Sequence, residues 1–112
     1  MLKRSLRLRK NSQFKKVYTL GKGYSNRWLV LRLIRLDHLK ITQIGFSVSK
    51  KLGGAVIRNR IKRQMSAAVR QYAEHLIAGY YVVFIAKNNI KSASFEQIQS
   101  AAFQLIKQAR LL

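Results

Sequence analysis

The sequence predicts one small α+β domain, and three observations carry the prediction. Its 112 residues, 48% of them hydrophobic, suffice for one packed core and are too few for two. Apolar residues alternate with period two over 26–37 and 41–49, form a dense run over 80–87, and recur at helical spacing over 11–20, 56–78 and 92–109. There is no cysteine, internal repeat, linker or low-complexity block, so packing alone must hold residues 1–112 together as a single domain.

Charge then narrows the function. Twenty-three Lys and Arg stand against Asp37, Glu74 and Glu96, a formal net charge of +20. Residues 1–70 hold 19 of those cations and one acid, so the first part binds and the last part mostly folds. An imbalance of this size costs self-repulsion and calls for a polyanionic partner, nucleic acid first.

In chain order, residues 1–10 form a basic N-terminal arm with Leu6 and Leu8 as apolar anchors. Asn11 or Ser12 caps a helix through Leu20, and Gly21 stops it. Phe14, Val17 and Tyr18 share one face of that helix. Such a stripe is ordinarily core, yet aromatic rings beside Lys15 and Lys16 are also what stacks unpaired bases.

In the first strand, Leu29, Leu31 and Leu33 form an aliphatic face turned to the core, and Trp28, Val30, Arg32 and Ile34 a mixed one. After a turn near 37–40, Thr42, Ile44, Phe46 and Val48 form the apolar face of the second strand. Gln43, Gly45, Ser47 and Ser49 form its small polar face. Side by side, the two strands would give a shallow trough floored by Gly45 and Ser47 and walled by Val30, Arg32, Phe14 and Tyr18.

The long helix carries its core stripe on Ile57, Ile61, Met65, Ala68, Tyr72 and Leu76, and Gly79 ends it. Its first turns are cationic through Arg58, Arg60, Lys62 and Arg63, with Asn59 among them. A merely solvated face mixes signs, because like charges at i,i+4 destabilise a helix and cations at its start oppose the dipole. Phosphates offset both effects, since free amides, dipole and guanidinium forks favour the same ligand. Gly53 and Gly54 permit close backbone approach, but their spacing is not that of a nucleotide-binding loop. After the strand 80–87, Ser92 or Ser94 caps a last helix. Ser94 and Gln97 match a capping box, and Phe95, Ile98, Ala102, Leu105 and Ala109 mark the buried stripe.

No self-contained catalytic set is legible. His38 adjoins Asp37 and His75 adjoins Glu74, but adjacent side chains diverge, and three scattered acids supply neither a carboxylate pair nor a metal cage. The basic N-terminus lacks the apolar segment of a secretory signal, and no run approaches the roughly eighteen apolar residues of a membrane span, so a cytoplasmic protein is expected. The residues thus support a small RNA- or DNA-binding domain without a catalytic, metal or cofactor site of its own.

Arg58-Asn59-Arg60-Ile61-Lys62-Arg63, preceded by Phe46-Ser47-Val48-Ser49-Lys50-Lys51, resembles the signature of the bacterial ribonuclease P protein component. Arg7-Leu8-Arg9-Lys10-Asn11-Ser12-Gln13-Phe14 with Val17 and Tyr18 resembles that family's opening, and Val82-Val83-Phe84-Ile85-Ala86-Lys87 its later strand. The resemblance implies an αβββαβα sandwich on a central mixed sheet, with a left-handed βαβ crossover where the general rule would favour a right-handed one. It implies an accessory subunit of an endoribonuclease whose catalytic RNA removes the 5′ leader of precursor tRNA, with Mg²⁺ in the RNA active site and no cofactor on the protein.

Carried onto this chain, the resemblance implies contact with the catalytic RNA through Arg58, Asn59, Arg60, Lys62 and Arg63, with Lys50, Lys51 and, in the arm, Arg7, Arg9 and Lys10. It implies contact with the single-stranded leader through Phe14, Tyr18, Arg32, Ser47, Ser49 and Lys87. The family residue at position 32 would be aromatic, so Arg32 suggests a phosphate contact or a guanidinium stack instead. The alternative is a structural or ribosome-associated RNA-binding protein with no part in cleavage. A duplex DNA partner is disfavoured by the trough and by the lack of a helix-turn-helix pattern.

Overall fold

A four-stranded mixed sheet separates two layers of helix in the computed structural model, which describes residues 2–112. Helix α1 is Asn11–Leu20, α2 Ala55–Ala73 and α3 Phe95–Gln108. The strands are β1 Lys22–Ser25, β2 Leu29–Arg35, β3 Gln43–Ser47 and β4 Tyr80–Ala86. They lie in the order β1-β2-β4-β3, antiparallel except for the β3–β4 pair, whose crossover is α2.

The predicted aliphatic face of β2 is buried, with Leu29, Leu31 and Leu33 joining Ile44, Val82 and Phe84 against Ile61, Met65 and Ala68 of α2 and Ile98, Ala102 and Leu105 of α3. Full burial of each of the Leu, Ile, Val, Phe and Met side chains contributes roughly 1.5–3 kcal/mol, and this is the larger of the two cores. The opposite face is covered by α1, where Leu8, Val17 and Val83 are buried and Phe14, Ile34, Tyr81 and Ile85 pack around them.

The arm is docked rather than free. Leu2 is buried in the first core and Leu8 in the second, so the segment straddles the sheet edge. Arg7 bridges to Ile44 in parallel register, and the Leu8 amide donates to the Ile44 carbonyl at 2.9 Å. Lys3 pairs with Glu74 just past α2, which lowers that carboxyl below the usual carboxylate range and raises the ammonium; both groups are exposed, and salt screens the pair. Met1, the first residue of the predicted arm, lies outside the described residues.

Several expectations from the sequence need correction, among them Phe95 of the predicted α3 stripe, which is 37% exposed, and Trp28, which is buried in the α2–α3 core rather than on the mixed face of β2. Strand β1 has no alternation to announce it, since Lys22–Ser25 is mostly exposed. Helix α2 stops at Ala73 instead of near Ala78: Leu76 keeps the helical spacing while lying in a loop held by the Ile77 amide on the Leu111 carbonyl and by Thr42 Oγ1 on the Ile77 carbonyl. Ile57, the first residue of its predicted stripe, is 38% exposed. Neither Asn11 nor Ser12 caps α1; Gln13 Oε1 reaches back to accept from the Arg9 and Lys10 amides, at 3.2 and 3.0 Å. The Ser94–Gln97 box forms as predicted, with bonds of 3.2 and 2.8 Å.

Gly21 follows α1 in extended backbone, and its lack of a side chain has a steric reason. Its φ of −81° is open to any residue, but a Cβ there would lie 2.5 Å from the Val17 carbonyl oxygen and 2.8 Å from that of Leu33. Neither backbone atom can yield without moving α1 or β2. Gly21→Ala is therefore expected to lower unfolding free energy by about 2–3 kcal/mol in a urea titration, as overpacking against backbone does.

Candidate nucleic-acid interface

On α2 the buried residues Ile61, Met65, Ala68 and Val69 fix the helix rotation, and that rotation leaves Asn59, Arg60, Lys62 and Arg63 exposed. The helix carries five cations and no carboxylate. Among the described residues the ion pairs are Lys3–Glu74 and Arg35–Asp37, and neither neutralises a cation of α2. Arg58 is half-buried and differs from its neighbours, because its Nε donates to the Gly53 carbonyl at 3.1 Å and ties the helix to the preceding turn. Gly54 caps α2 without a side-chain bond, and a Cβ on it would meet nothing within 4 Å, so no side chain occupies the space beside the helix start.

Lys50 and Lys51 lie in the single 3₁₀ turn between β3 and α2, both exposed, and the Ser49 hydroxyl caps this turn by accepting from the Lys51 amide at 3.2 Å. The docked arm places Arg7, Arg9 and Lys10, with Arg4, around a concavity of about 730 Å³ closed by Gln13 and Gln43. The Gln43 side-chain amide donates to the Ser5 carbonyl at 3.2 Å and holds the arm on the β3 edge. The cations predicted to meet the catalytic RNA thus sit on elements that adjoin or follow β3: α2, the turn before it, and the arm.

The trough exists with a different floor. Strand β4 runs between β2 and β3, so Val30 and Arg32 do not adjoin Ser47 and Gly45 as expected; Ile85 and Val83 separate them. Two transverse rows result. Gly23, Arg32, Val83 and Gly45 lie in register beneath α1, and Ser25, Val30, Ile85 and Ser47 form the next row, half-buried except for exposed Ser25. Phe14 and Tyr18 flank these rows from α1 with ring centroids 6.4 Å apart, and Tyr18 is 41% exposed. Phe14 lies so close over Gly45 that a Cβ there would be 2.5 Å from its Cζ; the missing side chain makes room for the ring. Ser49 and Lys87 follow Ser47 and Ile85 in alternation at the ends of their strands.

Arg32 is engaged with the protein itself. Its Nη2 donates to the Gly21 carbonyl at 2.8 Å and to the Tyr18 carbonyl at 3.2 Å, and its buried Nε has no partner. These are the unpaired carbonyls at the α1 end, where a cation also complements the dipole. The guanidinium fixes the helix that carries the aromatic wall, which neither a phosphate contact nor a base stack would require. Sequence reasoning had no signal for this, since the partners are backbone atoms 11 and 14 residues away.

The family model described as Ribonuclease P matches residues 2–110. The chain belongs to the ribonuclease P protein family. The ribonuclease P protein component of Clostridium botulinum strain Langeland is 43% identical over 104 residues, spanning 92% of this chain and 93% of the relative. That of Clostridium novyi is 37% identical, spanning 98% of each. The solved RNase P protein of Staphylococcus aureus superposes with a TM-score of 0.86 at 31% identity, over 95% of this chain and 96% of that one. The RNase P protein of Thermotoga maritima shares the fold, with a TM-score of 0.79 at 23% identity over 91% and 96% of the two chains. Membership makes the chain a protein component of ribonuclease P, acting in tRNA 5′ maturation with the RNA of that complex, and disfavours the ribosome-associated alternative.

Arg32→Ala should lower unfolding free energy by about 1–2 kcal/mol, the worth of charge-assisted bonds to two carbonyls. Arg32→Lys, which offers one ammonium to both, should recover part of it in the same denaturant titration.

Proposed function

We propose that the chain grips the catalytic RNA of ribonuclease P with its β3-side cations while the trough holds the 5′ leader of precursor tRNA. The reading rests on two surfaces of unlike chemistry in one small domain. One is an acid-free set of Lys and Arg, exposed except for half-buried Arg7 and suited to phosphates, and the other a shallow aromatic-walled floor suited to unpaired bases. In this division Arg60, Lys62, Arg63, Lys50, Lys51, Arg7, Arg9 and Lys10 contact RNA directly, with Asn59 beside them, while Arg58 orders the turn. Phe14, Tyr18, Ser47, Ser49 and Lys87 contact the leader, and Arg32 acts through α1.

Phosphodiester hydrolysis is assigned to the RNA partner, with Mg²⁺ in the RNA active site and no cofactor on the protein. Supporting that assignment, the three carboxylates sit apart, on the β2–β3 turn, past the end of α2 and in the first turn of α3. The protein contributes position: leader contacts align the scissile phosphate with the RNA's metals, and the positive field reduces repulsion between two RNAs. The working compartment is the cytoplasm, where bacterial transcripts are made; among the described residues no helix is long and apolar enough to cross a membrane.

Reconstitution with a ribonuclease P RNA at low Mg²⁺ should raise cleavage of precursor tRNA; no rise rejects the proposal. Arg60→Ala should weaken binding to the catalytic RNA about three- to tenfold and flatten its salt dependence by about 0.7–0.9 in log–log slope, the loss of one neutralised phosphate. Phe14→Ala should instead reduce the preference for leader-bearing over leaderless tRNA by about 1–2 kcal/mol, one stacked base. Equal losses in both assays for both variants would show that the surfaces are not separate.

A further inference from the structure

We propose that a groove between the β1–β2 turn and α3 is a second single-strand site, which receives leader nucleotides that have passed beyond the trough. The inference rests on the function proposed above and extends it to the far edge of the sheet. The strand ends that carry Ser49 and Lys87 lie at the same end of the sheet as the start of β2. Across that end the order is therefore Lys50 and Lys51 beyond β3, Lys87 to Asn89 beyond β4, and Arg27 before β2. A strand leaving the catalytic-RNA side and crossing the row of Ser47, Ile85 and Val30 on the α1 face reaches Arg27 last, at the end of the sheet, where it turns to the α3 face.

Arg27 walls two adjoining concavities. One, about 530 Å³, is shared with Lys87, Asn88 and Asn89, and the other, about 430 Å³, runs along α3 past Trp28, Gln97, Ser100 and Gln104. The Arg27 guanidinium lies 4.6 Å from the centre of the Trp28 ring and belongs to neither ion pair among the described residues, so its edge is available to a phosphate.

The α3 side offers amides. Gln97 Oε1 accepts from the Ser94 amide and Gln104 Oε1 from Asn26 Nδ2, so on both side chains the carbonyl is engaged and the NH₂ group is the part left to donate to a ligand. Asn26 Nδ2 also donates to the Ala101 carbonyl at 3.0 Å and its Oδ1 accepts from the Trp28 and Leu29 amides, so the turn is clamped to the helix. Glu96, the acid in this groove, repels a backbone phosphate from the α3 side but accepts from an exocyclic amino group. The chemistry is that of one nucleotide: phosphate at Arg27, base edge at the glutamines.

The test uses the reconstituted holoenzyme and precursor tRNAs with leaders of about four and about ten nucleotides, lengths that bracket a single-strand site. Arg27→Ala, and Ser100→Glu at an exposed helix position, should each weaken binding of the long-leader substrate about three- to tenfold, the worth of one phosphate or base contact. Neither should alter the short-leader substrate. If either variant binds the long leader as tightly as wild type, or loses affinity equally for both lengths, the groove is not a leader site. If the wild-type protein does not stimulate cleavage of either substrate, the proposed function fails and takes this site with it; stimulation of both with unchanged variants overturns the site alone.

Discussion

The middle of strand β4 is buried on both faces, and the rest of the domain follows from that constraint. Val82 and Phe84 project to the α2–α3 side and Val83 to the α1 side, all three without measurable exposure. A stretch buried on both faces must be flanked by strands and covered twice. The antiparallel β2 and the parallel β3 supply the edges, and the parallel pairing requires the long crossover that α2 provides. The cationic helix is thus where it is because the most apolar strand needs a neighbour reached by a helix. Its inner stripe serves the core and leaves the outer face for charge.

That outer face is stable on its own terms only because the cations are long and exposed. Lys and Arg lay methylene stems on the helix while their heads stay in water. The opposing dipole and the like charges are small effects there, a few tenths of a kcal/mol each, against several kcal/mol from the buried side chains beneath. Folding therefore tolerates a surface that is chosen for association. The same separation holds at the trough, where Val17 and Val83 hold α1 down and Phe14 and Tyr18 are left to do something else.

Much of this was legible in the residues. Alternation located β2 and β3 and their inward faces, the capping box located α3, and the sign imbalance located the half that exposes the cations. What could not be read was order in space. Alternation says which way a side chain points and nothing about which strand lies beside it, so the intervening β4 was invisible and the trough acquired the wrong floor. Periodicity likewise cannot separate Leu76, which reaches the core from a loop, from the helical residues before it. Arg32 resembled a ligand-facing cation because its partners are carbonyls, which carry no side-chain signature. The resemblance supplied the short β1 that pattern missed, since Lys22–Ser25 is defined by its pairing with β2 and not by its composition.

The arm's bridge at Arg7 and Ile44 has a consequence for solubility. Without it β3 would end the sheet as an open edge, with free amides and carbonyls beside Ile44 and Phe46, the kind of edge that recruits a strand from another molecule. Residues 7 and 8 occupy that edge, and the cations on either side repel a second copy. Residues 7 and 8 thus leave less of the β3 edge open to a second copy during the interval before an RNA is met, when a protein of charge +20 has no partner to cover it.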